Sequence, residues 1–370
     1  MIAEKVRWAK AAGRTLRIRG AGEWTDAGQP VRAHESLSLA DDRGIVEYVP
    51  GDLTMTARAG TTLADLGAAT RAEGQWLPLE PWGGDGGTLG ATVSTATSGP
   101  FAHAIGSPRD LVLGVEFVTG AGETVRGGGR VVKNVAGFDL TRLLVGSWGT
   151  LGIITEVSVR LRARPESTKT VALVVPATRT GLNELAVRLR ALPFTPLACE
   201  MLSDRLADHL RLGAQAVLLA RLGGNERAVA AQFDAVRMLG DYAEVRDDIW
   251  GALRTMDRGA TGTWRWSQLP SQFGDVWTAA DGAARVLEKF YLHGNPMRGV
   301  VRVVCNAETP QPGHIVRSAT AFKGTVVVEH LPADAWPLVS PSPADPLARA
   351  LRDKFDPARI LNPGIMGAES

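Results

Sequence analysis

The stretch from Lys133 to Glu156, KNVAGFDLTRLLVGSWGTLGIITE, limits the fold more than any other part of the chain. Its first half has helical period: Leu140, Leu143, Leu144 and Val145 share one side, with Thr141 and Arg142 opposite. Gly146, Gly149 and Gly152 follow at three-residue spacing and lead into Ile153, Ile154, Val157 and Val159, an apolar run that reads as a buried strand. Glycines this close to an apolar strand let something large approach the backbone, because no side chain stands in the way. A Gly-rich connection between helix and strand with no ligand is the alternative. Two more Gly-rich segments upstream favour the first reading.

Taken in order, residues 2–12 read as a helix with Ile2, Val6 and Ala9 on one face, stopped at Gly13. Leu16 and Ile18 alternate with Arg17 and Arg19 as a short strand that runs directly into Gly20, Ala21 and Gly22. Such a turn either presents consecutive backbone N–H groups to an anion or is a plain reversal. It is not the dinucleotide fingerprint, because no GxGxxG opens a helix here. Further strands are expected in residues 37–59, with Leu53, Met55 and Ala57 on one face. Thr61 or Thr62 then caps a helix that buries Leu63, Leu66 and Ala69. Residues 83–100, GGDGGTLGATVSTATSGP, are the richest small-residue stretch. They are either a linker or a helix start lying under a ligand, with N–H groups free for a pyrophosphate. Residues 111–125 read as a β-hairpin turning at Gly120-Ala121-Gly122.

At 370 residues the chain has room for two or three domains. The net charge is +2 and the basic residues are scattered, so no nucleic-acid face is expected. The only cysteines, Cys199 and Cys305, make no CxxC, so no iron–sulfur or zinc ligation is expected and no metal site is assigned; a reducing, cytoplasmic setting fits. The N-terminus lacks the apolar core of a secretory signal, and no run approaches 18 apolar residues. Membrane attachment would be peripheral, through a partner, at the inner face.

Four motifs carry a resemblance: RIRGAG at 17–22, GGTLGA at 86–91, SPRDLVLGVEFVTGAGE at 107–123, and VKNVAGFDLTRLLVGSWGTLGIITEV at 132–157. With them, the chain resembles the flavoprotein family of vanillyl-alcohol oxidase and p-cresol methylhydroxylase (PCMH). KFDPARILNPG at 354–364 is similar to a tail of the lactate and glycolate branch. Within that branch the chain looks most like the FAD-binding E subunits of bacterial glycolate oxidases. It has Trp148 where D-type chains usually carry Glu, it lacks their HxGDGN segment, and it carries WRWS at 264–267.

The resemblance implies an α+β architecture. A two-subdomain PCMH-type FAD-binding domain occupies 1–165, an α+β cap with an antiparallel sheet 166–335, and a tail returning to the FAD domain 336–370. It implies non-covalent FAD, because the first loop has Glu23 where tethering members have His and because His103 lies in a flexible-looking loop. Arg19, Gly20, Ala21, Gly22, Glu23 and Trp24 resemble the first pyrophosphate loop. Pro81, Gly86, Gly87, Thr88, Leu89 and Gly90 resemble the second. Ser107, Arg109 and Asp110 resemble a third contact segment, and Gly149, Gly152, Ile153 and Ile154 an adenine-side wall. Asn362 resembles a tail Asn that approaches the flavin ring. The implied activity is oxidation of glycolate, or a similar 2-hydroxy acid, to the 2-oxo acid. Electrons would pass to a second FAD-containing subunit and an iron–sulfur subunit. A non-catalytic assembly or relay subunit and a stand-alone oxidase are the other readings.

In the middle, KTVALVVPA, AVLLARL, YAEVR, TWRWS and VVRVVCN read as strands, interleaved with helices such as GLNELAVRLRAL. A 2-hydroxy acid needs a cation for its carboxylate and a base for its hydroxyl proton. Arg265, between two tryptophans, is the candidate cation, and His293 in YLHGNP, read as a loop histidine, the candidate base. His314 and His330 are weaker candidates.

Overall fold

The computed structural model describes residues 1–24, 26–129, 139–309, 311–340 and 345–367. Two compact units emerge. One comprises Met1–Gly99, Gly106–Arg164 and Pro341–Ser370, the other Pro100–Ile105 and Pro165–Ser340. Both mix helices with mostly antiparallel sheets, so the chain is α+β.

Among the described residues the first unit holds nine strands: β1 (Leu16–Arg19), β2 (Glu35–Ser38), β3 (Ile45–Val49), β4 (Thr54–Arg58), β5 (Gln75–Trp76), β6 (Val112–Val118), β7 (Thr124–Gly128), β8 (Ile153–Arg160) and β9 (Arg162–Ala163). β1 and β2 pair in parallel, and β5 pairs with β9. The main sheet runs β3-β4-β8-β6-β7, every neighbour antiparallel. Thr54 to Ala57 of β4 are all buried, so this strand is covered on both faces despite its polar–apolar alternation. Thr62 caps the helix Leu63–Arg71 by accepting from Asp65 N at 3.1 Å. Its buried stripe is Leu63, Leu66 and Thr70, the last hiding its polar end by donating its hydroxyl to Leu66 O at 3.0 Å; Ala69, expected in the stripe, is only half-buried.

The helix in the opening stretch is short, Leu140–Leu144, and Lys133–Phe138 lie outside the described residues. Gly146 and Gly149 take φ of +80° and +69°, which glycine adopts without steric cost. Gly152 has no such φ and is needed for space, since a Cβ there would lie 2.5 Å from the Phe117 ring. The tail docks in this same unit. Leu16 N donates to Ile360 O at 2.7 Å, and Asn362 N donates to Leu16 O at 2.9 Å. Ile360 and Leu361 join Val6, Ala9, Leu16, Leu39, Val118 and Ile153 in one buried cluster.

The second unit is an eight-stranded antiparallel sheet. Its strands are β10 (Ser167–Val174), β11 (Ala198–Leu202), β12 (Val217–Gly224), β13 (Tyr242–Val245), β14 (Gly262–Ser267), β15 (Phe290–Asn295), β16 (Val300–Cys305) and β17 (Thr325–His330). Their order is β13-β10-β12-β11-β15-β16-β14-β17. Period-two alternation gives the sheet one apolar face. Met201, Leu218, Leu292, Val303, Trp264 and Trp266 share a core with Leu182, Leu185 and Leu189 of the helix Arg179–Arg190 and with Phe273, Val276 and Trp277 of the helix Phe273–Ala284. Thr263 and Arg265, Arg302, His293 and Glu200 fall in the opposite phase of the same strands.

Candidate cofactor site

A cleft of about 1010 Å³, counting the space at its mouth, lies within the first unit. Segments far apart in sequence build it: the end of β1 with the turn after it, residues 81–97, the turn at Trp148–Gly149, the start of β8, and the tail.

The walls are made of backbone and small side chains. At Gly20 a Cβ would sit 2.2 Å from Thr88 Oγ1, and at Gly90 2.6 Å from Ala59 Cβ. Gly22 takes φ of +92° while Ala21 is absent from the left-handed region, so the alanine in RGAG falls where it carries no backbone penalty. Two cations, Arg17 and Arg19, line the cleft with one carboxylate, Glu23. Burial pulls the Arg17 pKa down, and nearby Asp26 opposes it.

Of the residues singled out by sequence, Arg19, Gly20, Ala21, Gly22, Glu23, Trp24, Pro81, Gly87, Thr88, Gly90, Gly149, Gly152, Ile153, Ile154 and Asn362 line this cleft. Gly86, Leu89, Ser107, Arg109 and Asp110 are not on its wall. Gly86 backs onto Glu23, where a Cβ would meet Oε1 at 3.2 Å, and Leu89 is fully buried. Ser107 donates from its amide and hydroxyl to Asp110 Oδ2 at 2.8 and 2.9 Å, which holds that carboxyl below its usual range and closes a turn; Arg109 is exposed. The expectation of free N–H groups at the helix Leu89–Thr95 needs correcting. Leu89 N donates to Thr61 O at 2.9 Å, Gly90 N to Ala59 O at 2.8 Å and Ala91 N to Thr88 Oγ1 at 3.3 Å, so these amides bind protein. Sequence reasoning missed Arg17, Trp82, Gly83, Gly84, Ser94, Trp148 and Ile365 as wall residues.

The other two candidates lie in the second unit, in a row of charged side chains on the polar phase of its sheet. His293 pairs in register with Arg302, and Arg302 with Arg265. His293 is not a loop residue: it sits on β15, fully buried, with Nδ1 2.7 Å from Glu200 Oε1. Burial pushes the Glu200 carboxyl well above its usual pKa against the pull of Arg298 and Arg302; burial and the Arg302 charge push His293 well below. Burial alone would depress Arg302, but Glu329 and Asp257, at 2.6 and 2.7 Å, outweigh it and hold the guanidinium charged. Arg265 is held loosely, 3.7 Å from Glu329, with its side chain 31% exposed. His103 lies in the turn Pro100–His103, its ring nitrogens within 3.1 Å of Pro100 O and 2.9 Å of Pro196 O, not in a loose loop. Among the described residues no cluster of His, Cys, Asp and Glu could hold a metal ion, and no helix is long and apolar enough to cross a membrane.

A glycine-walled cleft with two lining arginines suits a large, flat, diphosphate-bearing molecule. The FAD binding domain family matches residues 1–128, about a third of the chain, and the cofactor is FAD. The chain is 39% identical to glycolate oxidase subunit GlcE of Escherichia coli over 63% of its own length and 66% of that protein's, just under two thirds. It is 28% identical to glycolate oxidase subunit GlcD of Bacillus subtilis, over 88% of this chain and 77% of that one. In fold it matches 4-ethylphenol oxidase from Gulosibacter chungangensis with a TM-score of 0.73 at 14% identity, across 99% of this chain and 87% of the oxidase.

Proposed function

We propose that this chain is the FAD-carrying subunit of a complex that oxidises glycolate, or a similar small 2-hydroxy acid, to the 2-oxo acid, and that it holds FAD without a covalent bond. The observation that supports this most is that the glycine turns at Gly20 and Gly22 and at Gly87 and Gly90 wall one cleft with Asn362 of the tail, in a chain 39% identical to a glycolate oxidase subunit. Bound FAD would supply a two-electron hydride acceptor. The chain's own residues would do the rest. The turns at Gly20–Gly22 and Gly83–Thr88 admit the cofactor's backbone, and Arg17 and Arg19 offset its diphosphate charge. Glu23 in the first loop and the doubly engaged His103 ring support non-covalent binding.

Arg265 keeps the exposure and the slack ion pair that a carboxylate receptor needs. His293 is the weaker half of the pair, since its ring is buried and tied to Glu200. That observation favours a second reading, in which this subunit relays electrons or assembles the complex while a partner binds substrate. The partners proposed are a second flavin subunit and an iron–sulfur subunit. Purified chain, loaded with FAD and mixed anaerobically with glycolate, separates the readings. Bleaching of the flavin absorbance by the chain alone supports direct oxidation. Bleaching only after a partner is added supports the relay, and a chain that takes up no FAD overturns both.

A further inference from the structure

Six non-glycine residues with positive φ occur among the described residues, and two of them, Trp148 (φ 53°) and Asn362 (φ 41°), are joined by a hydrogen bond on the wall of the cofactor cleft. Asparagine tolerates the left-handed region, but a bulky aromatic there is strained and persists only where its surroundings hold it. What holds Trp148 is visible. Its N–H donates to Ser94 O at 2.8 Å, and its carbonyl accepts from Asn362 Nδ2 at 2.8 Å. Its ring lies against Gly28, where a Cβ would come within 3.2 Å of it.

Asn362 is 3% exposed and its carboxamide is used at both ends, because Oδ1 accepts from Ile18 N at 2.7 Å. Gly149 leaves it room: a Cβ there would stand 2.8 Å from Nδ2. One side chain from the tail thus spans β1, which leads into the first loop, and the turn that carries Trp148.

We propose that Asn362 is a positioning residue for FAD: it acts through the Ile18 amide and the Trp148 carbonyl, holding Trp148 in its strained conformation so that the cleft keeps its shape. This rests on the FAD reading above, and it makes docking of the tail a condition of cofactor binding.

The test is a double-mutant cycle of Asn362→Ala and Trp148→Gly in the full chain. FAD dissociation constants are read from quenching of flavin fluorescence, and folding is checked by near-UV circular dichroism. Asn362→Ala alone should weaken FAD binding roughly ten- to a hundredfold, the scale of a buried hydrogen bond left unmade. In the Trp148→Gly background the same change should cost at least several-fold less, because glycine takes the left-handed conformation unaided and only the Ile18 amide is left without its partner. Equal losses in both backgrounds, or an Asn362→Ala chain that binds as tightly as wild type, would overturn the proposal while leaving the cofactor reading intact. If Asn362→Ala alone does not fold, the double variant decides. Affinity close to that of Trp148→Gly supports the proposal, and a large further loss overturns it. Wild-type chain that binds no FAD overturns the cofactor reading itself, and this inference with it.

Discussion

Gly20→Ala is the sharpest perturbation of the cofactor cleft. Gly20 does not need glycine for its φ, which is outside the left-handed region; it needs the space. A Cβ would lie 2.2 Å from Thr88 Oγ1 and 3.2 Å from both Thr88 Cβ and Cγ2. Thr88 is 1% exposed and cannot swing into solvent, and its hydroxyl caps the helix Leu89–Thr95. Rotating the hydroxyl away forfeits the cap, about 1 kcal/mol. The remaining Cβ–Cβ approach forces a backbone shift, about 1–3 kcal/mol of overpacking. Gly20→Ala should therefore destabilise the chain by roughly 2–4 kcal/mol. Thr88→Ala alone should cost about 1 kcal/mol, and in its background Gly20→Ala should cost about 1 kcal/mol or less, since only the Cβ contact is left. Gly87→Ala is the control: its nearest neighbour, Gly84 O, is 4.0 Å away, so apo stability should stay within about 0.5 kcal/mol of wild type. Urea unfolding of wild type and the four variants gives these values. If the Gly20 and Thr88 costs add within about 0.5 kcal/mol, the steric account is wrong.

The His103 pKa is pushed by burial to about 4, against an unfolded value of 6.5. The unfolded ring takes up a proton as pH falls below ~6.5, the folded ring only near 4, so stability should drop across that window by about 2–3 kcal/mol, and His103→Gln should flatten part of the slope in urea midpoints measured at stepped pH. Arg302→Met leaves Asp257 and Glu329 buried without their principal cation and should cost about 3–5 kcal/mol by chemical denaturation, whereas replacing all three with apolar residues should cost far less. FAD at a hundredfold excess over its dissociation constant should add about 2.7 kcal/mol and raise the melting temperature by roughly 2–4 °C in a thermal scan; no shift would argue against a native-state cofactor site.

What the sequence reveals, and what it hides, follows from the range of the interactions involved. The antiparallel sheet of the second unit is legible because TWRWS alternates strictly, and the apolar phase must face a core. The glycine loops are legible because a Cβ has nowhere to go at Gly20 or Gly90, a constraint that leaves its mark in the sequence as an absent side chain. The same local signal says nothing about which amides stay free. The N–H groups of Leu89 and Gly90 are taken by Thr61 and Ala59, some thirty residues earlier, so an expected anion site is spent on packing.

The charged row had a signal that was there to be read: Glu200 in ACEML, Arg302 in VVRVVC and Glu329 in TVVVEH each interrupt an apolar strand in its non-core phase. Their partnership spans 130 residues of sequence, and only the pairing that runs from β11 through β15, β16 and β14 to β17 places them side by side. Trp148 is the extreme case. The glycines at 146 and 149 mark a turn, but a tryptophan is among the last residues expected to take φ of +53° within it. That conformation is imposed from outside the turn, by a tail residue 214 positions away. A cleft whose shape depends on so distant a contact should lose its ligand when the tail is disturbed, well before the unit as a whole unfolds.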